Sequence, residues 1–256
     1  MTTSTKAASE SFITPDWPAP ANVRTLITTR RGGVSCGVYA SLNLGDHVSD
    51  DPLAVAKNRA LVSHRIGARP LWLKQVHGTH VVEAGDCLEA DPNGVPEADA
   101  SFTHRTGVAC AVMTADCLPV LFCNPAGTVV AAAHAGWRGL LDGVLEATMG
   151  TLGAPGDELI AYLGPAIGPQ AFEVGDEVRA AFVARSRNAE EAFHPGNQGK
   201  WLADIYLLAR QRLSARGVGE VYGGDYCTVT DAERFFSYRR DGQTGRMASL
   251  IWRDQD

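Results

Sequence analysis

The chain has 256 residues, with 23 Lys and Arg against 29 Asp and Glu, a formal net charge of −6. Hydrophobic residues make up 45% and charged residues 20%, which excludes disordered and fibrous classes. The acidic balance also argues against a nucleic-acid binder, which needs a basic face, while leaving room for a small anion held by a few local arginines.

The length is enough to bury a core without a disulfide framework. No linker or internal repeat divides it, so a flexible polar tail over residues 1–16 and a single domain over 17–256 are expected. Residues 23–29 read as a first strand, followed by the glycine-rich turn Arg30-Arg31-Gly32-Gly33. Residues 51–66 carry a helical pattern, with an aspartate to cap and Pro52 in the first turn. Residues 71–76 and 80–83 read as strands interrupted at Gly78, and 91–96 as a loop.

The stretches 107–114, 119–123 and 128–134 are apolar on both faces, as in strands of a covered sheet. A helix over 140–152, a strand over 159–163 and a helix over 176–186 are expected next. An amphipathic helix over 200–216 follows, and then strands alternating with turns over 221–252. Without regular βαβ alternation, the pattern predicts an α+β fold with mixed sheets flanked by helices.

No apolar run approaches 18 residues. The longest, 108–123, is broken by Thr114 and Asp116, so no membrane span is expected. The N-terminus shows no apolar signal-peptide core. Six cysteines in such a chain point to a reducing cytoplasm, where thiols pack, bind metal or react.

Three residues stand out by local setting: His77 beside Gly78, Cys117 in a turn between two buried strands, and His134 where a strand passes to a helix. Their spacing is far too wide for a zinc finger, whose ligands come in close pairs. Three ligands from separate elements fit instead a catalytic Zn²⁺ site that keeps a fourth position open. The same residue types also suit a thiol enzyme with Cys117 as nucleophile and a histidine base, or simple packing.

His80 follows His77 on a stretch that reads as strand and would face the other way, so it is not a ligand. Cys110 and Cys123 lie within strands and read as packing thiols; Met113 and the aromatics read as core. Asp116 is a candidate acid/base or a partner to a ligating histidine. The turn Ala135-Gly136-Trp137-Arg138-Gly139 suits a phosphate, with Arg138 as its cation, and Arg30 is a weaker second cradle. Arg239 and Arg240 line a pocket or are solvated, with solvation the default.

The segments Leu73-Lys74-Gln75-Val76-His77-Gly78, Met113-Thr114-Ala115-Asp116-Cys117-Leu118-Pro119-Val120 and Ala133-His134-Ala135-Gly136-Trp137-Arg138-Gly139 resemble the polyphenol oxidase/laccase-domain family. That family is described as zinc-dependent purine nucleoside phosphorylases and includes the bacterial peptidoglycan editing factor. The resemblance extends through Phe235-Phe236-Ser237-Tyr238-Arg239-Arg240-Asp241 and Thr244-Gly245-Arg246-Met247-Ala248-Ser249, and covers nearly the whole chain from Trp17.

It implies Zn²⁺ on His77, Cys117 and His134, and phosphorolysis of adenosine, inosine and methylthioadenosine with adenosine deamination as a second activity. Asp116 would then move protons, with Arg138, Arg30 and Gln75 around nucleoside and phosphate. A toxin-deamidase-like fold is implied too. Two other readings stay open: a hydrolase editing a UDP-muramyl cell-wall precursor, and a zinc-stabilised interaction protein without catalysis. A laccase reading fits poorly, because the chain has seven histidines and no His-x-His pair.

Overall fold

The structure is a computed structural model that describes residues 11–254. In chain order its strands are β1 (Phe12–Ile13), β2 (Val23–Thr28), β3 (Arg69–Leu71), β4 (Val81–Glu83), β5 (Ala100–Thr103), β6 (Val108–Thr114), β7 (Leu118–Cys123), β8 (Val130–Ala135), β9 (Ile160–Leu163), β10 (Glu173–Val174), β11 (Phe193–Pro195), β12 (Trp201–Ala203), β13 (Glu220–Gly223) and β14 (Met247–Arg253). The helices are α1 (Pro52–Ile66), α2 (Ala84–Ala90), α3 (Trp137–Asp142), α4 (Val144–Thr151), α5 (Asp176–Arg185), α6 (Ile205–Ala215) and α7 (Tyr238–Asp241).

A five-stranded sheet runs β1-β2-β14-β6-β3 and a six-stranded sheet runs β13-β9-β7-β8-β5-β4; β10-β12-β11 form a small third sheet. Parallel and antiparallel pairs occur in both large sheets. The expected α+β class with mixed sheets is what the chain adopts.

The reason that β7 and β8 are apolar throughout lies in what covers them. Val120, Phe122, Ala131 and Ala133 face a core shared with α4 and α6. Their alternating neighbours Leu121, Cys123, Val130 and Ala132 face Cys110, Val112 and Ile251 of the five-stranded sheet. The other face of that sheet, with Ala109, Ala111 and Leu250, packs on Val62 and Ile66 of α1. The two large sheets thus stack face to face between two helical layers, and period-2 alternation persists inside runs that read as uniformly hydrophobic.

Several boundaries differ from expectation for identifiable reasons. Phe12 and Ile13, expected within the tail, pair with Thr28 and Ile27; residues 1–10 of the expected tail lie outside the described residues. The helix expected over 140–152 begins at Trp137 and breaks at Gly143, whose φ of 107° only glycine adopts readily. The helix expected from residue 200 starts at Ile205, where the Asp204 side chain accepts the Leu207 N–H; residues 201–203 pair as β12 instead.

The strand expected over 71–76 stops at Leu71, and the chain then bends back around Asp99. Helix α2 and strand β5 had no expectation attached. α1 matches its own, with Asp51 capping, Pro52 in the first turn and Gly67 closing in the left-handed conformation.

Candidate metal centre

β6 belongs to one large sheet and β7 to the other, so the three-residue turn between them crosses the sandwich at one end and carries Cys117. β8 lies beside β7 with His134 opposite Pro119, which brings the imidazole to the same end. His77 arrives from the segment after β3. It sits at φ 63°, and Asp116, next to Cys117, at φ 92°. Both are left-handed conformations that cost a non-glycine residue about 1–3 kcal/mol and gather at functional sites.

One donor atom from each of His77, Cys117 and His134 lies within 4.8 Å of the others. The Cys117 Sγ to His77 Nε2 distance is 3.6 Å. Zn–S and Zn–N bonds of usual length meeting at a tetrahedral angle would place these atoms about 3.5 Å apart. The residues present therefore fit a tetrahedral metal with three protein ligands. Gly136 guards that geometry, since a Cβ there would lie 2.7 Å from His77 Cδ2 and 3.1 Å from Cys117 Sγ.

The second layer is built on Asp99, fully buried at the entrance to β5. Its Oδ1 accepts from His134 Nδ1 at 2.8 Å and from the His77 N–H at 2.9 Å; Oδ2 accepts from the N–H groups of Val76 at 3.1 Å and Gly78 at 2.7 Å. A carboxylate acceptor holds a proton on His134 Nδ1 and turns Nε2 toward the cluster.

Burial pushes Asp99 up, but His134 and these N–H donors prevail and hold it below the usual carboxylate range. Burial likewise opposes the Cys117 thiolate. The His134 charge, followed by hydrogen bonds from both imidazoles, still brings that thiol down to about 6. His134 moves the other way, to about 9, because the Cys117 thiolate and Asp99 outweigh its own desolvation. The centre thus favours a thiolate, the form that binds metal or attacks an electrophile.

Two cavities meet at Cys117, with Ala115 and Tyr238 shared between them. One, of about 250 Å³, is lined by Asp116, Trp137, Arg138, Ile167, Phe172, Ile205 and Arg239. The other, of about 380 Å³, is lined by His47, Gln75, His77, Met113, Thr114, His134 and Arg246. A separate groove of about 280 Å³, around Arg185 and Arg212, touches none of these residues.

The residues expected at the site are distributed unevenly. Asp116 borders the first cavity, but its carboxylate is engaged: Oδ1 accepts from the Thr228 hydroxyl at 2.5 Å and Oδ2 from the Arg239 N–H at 2.7 Å. The carboxylate that partners His134 is Asp99, not Asp116. Arg138 borders the same cavity, its guanidinium 4.4 Å from the Trp137 ring centroid. Gln75 lines the second cavity, yet both ends of its amide bond the Met113 backbone at 2.8 Å.

Arg30 is not brought to the cluster. It donates to the carbonyls of Ala40 and Ala232, stacks on Phe236 and borders neither cavity. His80 is outside the cluster as expected, bonded to the Glu97 carbonyl. Cys110 and Cys123 are buried in their strands.

Arg239 lines the first cavity, while Arg240 ties down the carbonyls of Thr228, Val229 and Phe235, so neither is simply solvated. The aromatics are not all core: Trp137 lines the first cavity beside the core residue Phe172, and Tyr238, 62% exposed, borders both. Asp99, His47, Tyr238 and Arg246 were not singled out from the sequence. For Asp99 a signal existed, an acid set between Ala98 and Ala100 at the start of an apolar stretch.

A Pseudomonas aeruginosa protein named purine nucleoside phosphorylase is 60% identical over 243 residues, covering 94% of this chain and 98% of the relative. Purine nucleoside phosphorylase YfiH of Escherichia coli is 54% identical with the same coverage. Among solved structures, a Neisseria meningitidis protein superposes with a TM-score of 0.93 at 58% identity, covering 96% of this chain and all of that one. YlmD from Geobacillus stearothermophilus gives 0.81 at 33% identity, covering 92% and 93%. Residues 24–254 match the family model described as multi-copper polyphenol oxidoreductase laccase, and the chain belongs to that family.

Proposed function

We propose that the chain is a zinc-dependent purine nucleoside phosphorylase acting on adenosine, inosine and methylthioadenosine, with adenosine deamination as a second activity. The observation that carries this reading is a three-ligand cluster at the junction of two unlike cavities. The apolar and aromatic walls of the first, with Trp137, Phe172 and Ile205, suit a purine ring. The cationic and polar walls of the second suit sugar hydroxyls and an anion. The names of the Pseudomonas and Escherichia relatives support the same class of reaction.

In phosphorolysis a phosphate oxygen bonds to the sugar C1′ as the C1′–N9 bond breaks, and the proton of the phosphate goes to the departing base. His77, Cys117 and His134 would hold Zn²⁺, with Asp99 fixing the His134 tautomer. A bound Zn²⁺ supplies Lewis acidity at its open position. Asp116, held by Thr228 and the Arg239 N–H, presents a fixed acceptor to the first cavity and is proposed to handle the proton in deamination. Arg138 and Gln75 border the substrate, whereas Arg30 supports the loop beneath.

The donor set of two imidazoles and a thiolate is the chemical ground for zinc. Among the described residues it is the one group of three that can hold a metal, whereas multicopper oxidation needs several centres. No helix in the described residues is long and apolar enough to cross a membrane. All six cysteines are free thiols, in keeping with a cytoplasmic location.

The test is to measure bound metal and then incubate the protein with adenosine, with and without phosphate. Adenine plus ribose 1-phosphate is expected with phosphate, and inosine without it. A zinc-loaded sample that yields neither sinks the reading. Turnover that survives Cys117→Ala sinks the ligand assignment.

A further inference from the structure

A third cavity, of about 430 Å³, shares His47, Tyr238 and Arg246 with the second, which His77, Cys117 and His134 line. Its remaining walls are Val48, Ser49, Gly242, Gln243 and Thr244. Nothing in the proposed mechanism yet uses it.

Thr244 is 1% exposed, and its Oγ1 has no hydrogen-bond partner. A buried hydroxyl without a partner is destabilising, and such groups are rare in folded proteins. Beside it, Arg246 donates through Nη1 to the carbonyls of Thr244 and Gly245 at 3.0 Å each. Its Nε and Nη2 have no hydrogen-bond partner among the described residues.

The Arg246 backbone is fixed by an N–H bond to the Asn43 side chain at 2.8 Å, and its stem lies against Gly45, where a Cβ would come within 2.8 Å of Cγ. No carboxylate lines this cavity. The acid beside it, Asp46, faces His47 at 3.5 Å and Arg59 at 3.2 Å. Ser49, a left-handed non-glycine residue, completes the wall.

We infer that this third cavity is an oxyanion subsite, in which Arg246, Thr244 and His47 hold inorganic phosphate as the co-substrate of the proposed phosphorolysis. The inference rests on that reading and moves the phosphate from Arg138 to the opposite side of the metal ligands. A phosphate oxygen satisfies the Thr244 hydroxyl and the free edge of the Arg246 guanidinium together, a recognition that a planar fork and a hydroxyl provide well. The purine cavity and the phosphate subsite then flank the metal ligands, with the sugar between them.

Inorganic phosphate is titrated into the metal-loaded protein and followed by ³¹P NMR, alongside the phosphate KM for nucleoside cleavage and the melting temperature. Thr244→Val is expected to weaken phosphate about ten-fold while holding or raising Tm, because it removes an unpartnered buried hydroxyl. A purely structural threonine would not show that combination. Arg246→Gln should weaken phosphate about a hundred-fold, and Arg138→Gln less than two-fold.

Phosphate binding lost in Arg138→Gln but unchanged in Thr244→Val overturns the subsite. Phosphate binding that follows the expected order in a protein without nucleoside turnover upholds the subsite and rejects the phosphorylase reading. Tighter binding of adenosine 5′-monophosphate than of inorganic phosphate, lost in the same variants, assigns the oxyanion to a nucleotide and overturns the co-substrate role.

Discussion

Strand β7 has a thiol at each end, and the two could hardly differ more. Cys123 closes the strand inside the stacked sheets, where desolvation alone pushes its thiol up to about 12. Cys117 precedes the strand at the mouth of the sandwich. Burial acts on it in the same direction, yet the two imidazoles bring it down to about 6. Residue type and strand are shared; the charges within reach are not. Chemical character in this fold is set at the sheet ends, while the interior is uniform packing.

The largest effect that would test this division is expected inside. Phe122→Ala, in a fully buried position beside Cys123, should cost about 3–5 kcal/mol in denaturant unfolding while leaving metal stoichiometry unchanged. If metal is lost from the folded variant, the two ends of β7 are not independent.

Next in size is Asp99→Asn, which deprives His134 and three backbone N–H groups of their carboxylate. Metal affinity, measured by chelator competition, should fall about 10–100-fold. An affinity within two-fold of the parent would mean that Asp99 does not orient the imidazole. Gly136→Ala should be milder, near ten-fold, as the added methyl displaces His77 and Cys117. Retained affinity in that variant would show that the ligands can give way.

The smallest expected effect is a displacement on the pH axis rather than a loss. Cys117 has a depressed pKa, so its thiolate population rises as pH increases through about 6. In metal-free protein, iodoacetamide should modify Cys117 with that midpoint and leave Cys123 untouched while the fold persists. A midpoint near the ordinary thiol value would erase the contrast between the two ends.

Much of this was legible in the sequence, and the parts that were not have a common cause. Strand identity in β6, β7 and β8 follows from side-chain chemistry, and the His77, Cys117 and His134 cluster from small residues and turns around reactive groups. Asp99 does not show itself in that way. Its importance lies in four donors that reach it from residues 76–78 and 134, contacts set by the pairing of β5 with β8 and the bend after β3.

Arg30 misled for the converse reason. A double-glycine turn looks like an anion cradle, but the guanidinium folds onto the carbonyls of Ala40 and Ala232. Arg246 and Tyr238 occur in segments of family resemblance, yet only the folded chain brings them to the walls of the cavities beside the cluster. Helix 140–152 failed at a single backbone angle, Gly143, because propensity does not report φ.

Asp99 also changes what kind of object the centre is. The carboxylate that orders an imidazole also receives the amides of Val76, His77 and Gly78, so ligand geometry and the fold of that segment are one cooperative unit. Loss of an ion held by this cluster would loosen not a side chain but a stretch of main chain. Amide hydrogen exchange at residues 76 and 78, neither of which supplies a ligand atom, therefore becomes a thermometer of metal occupancy.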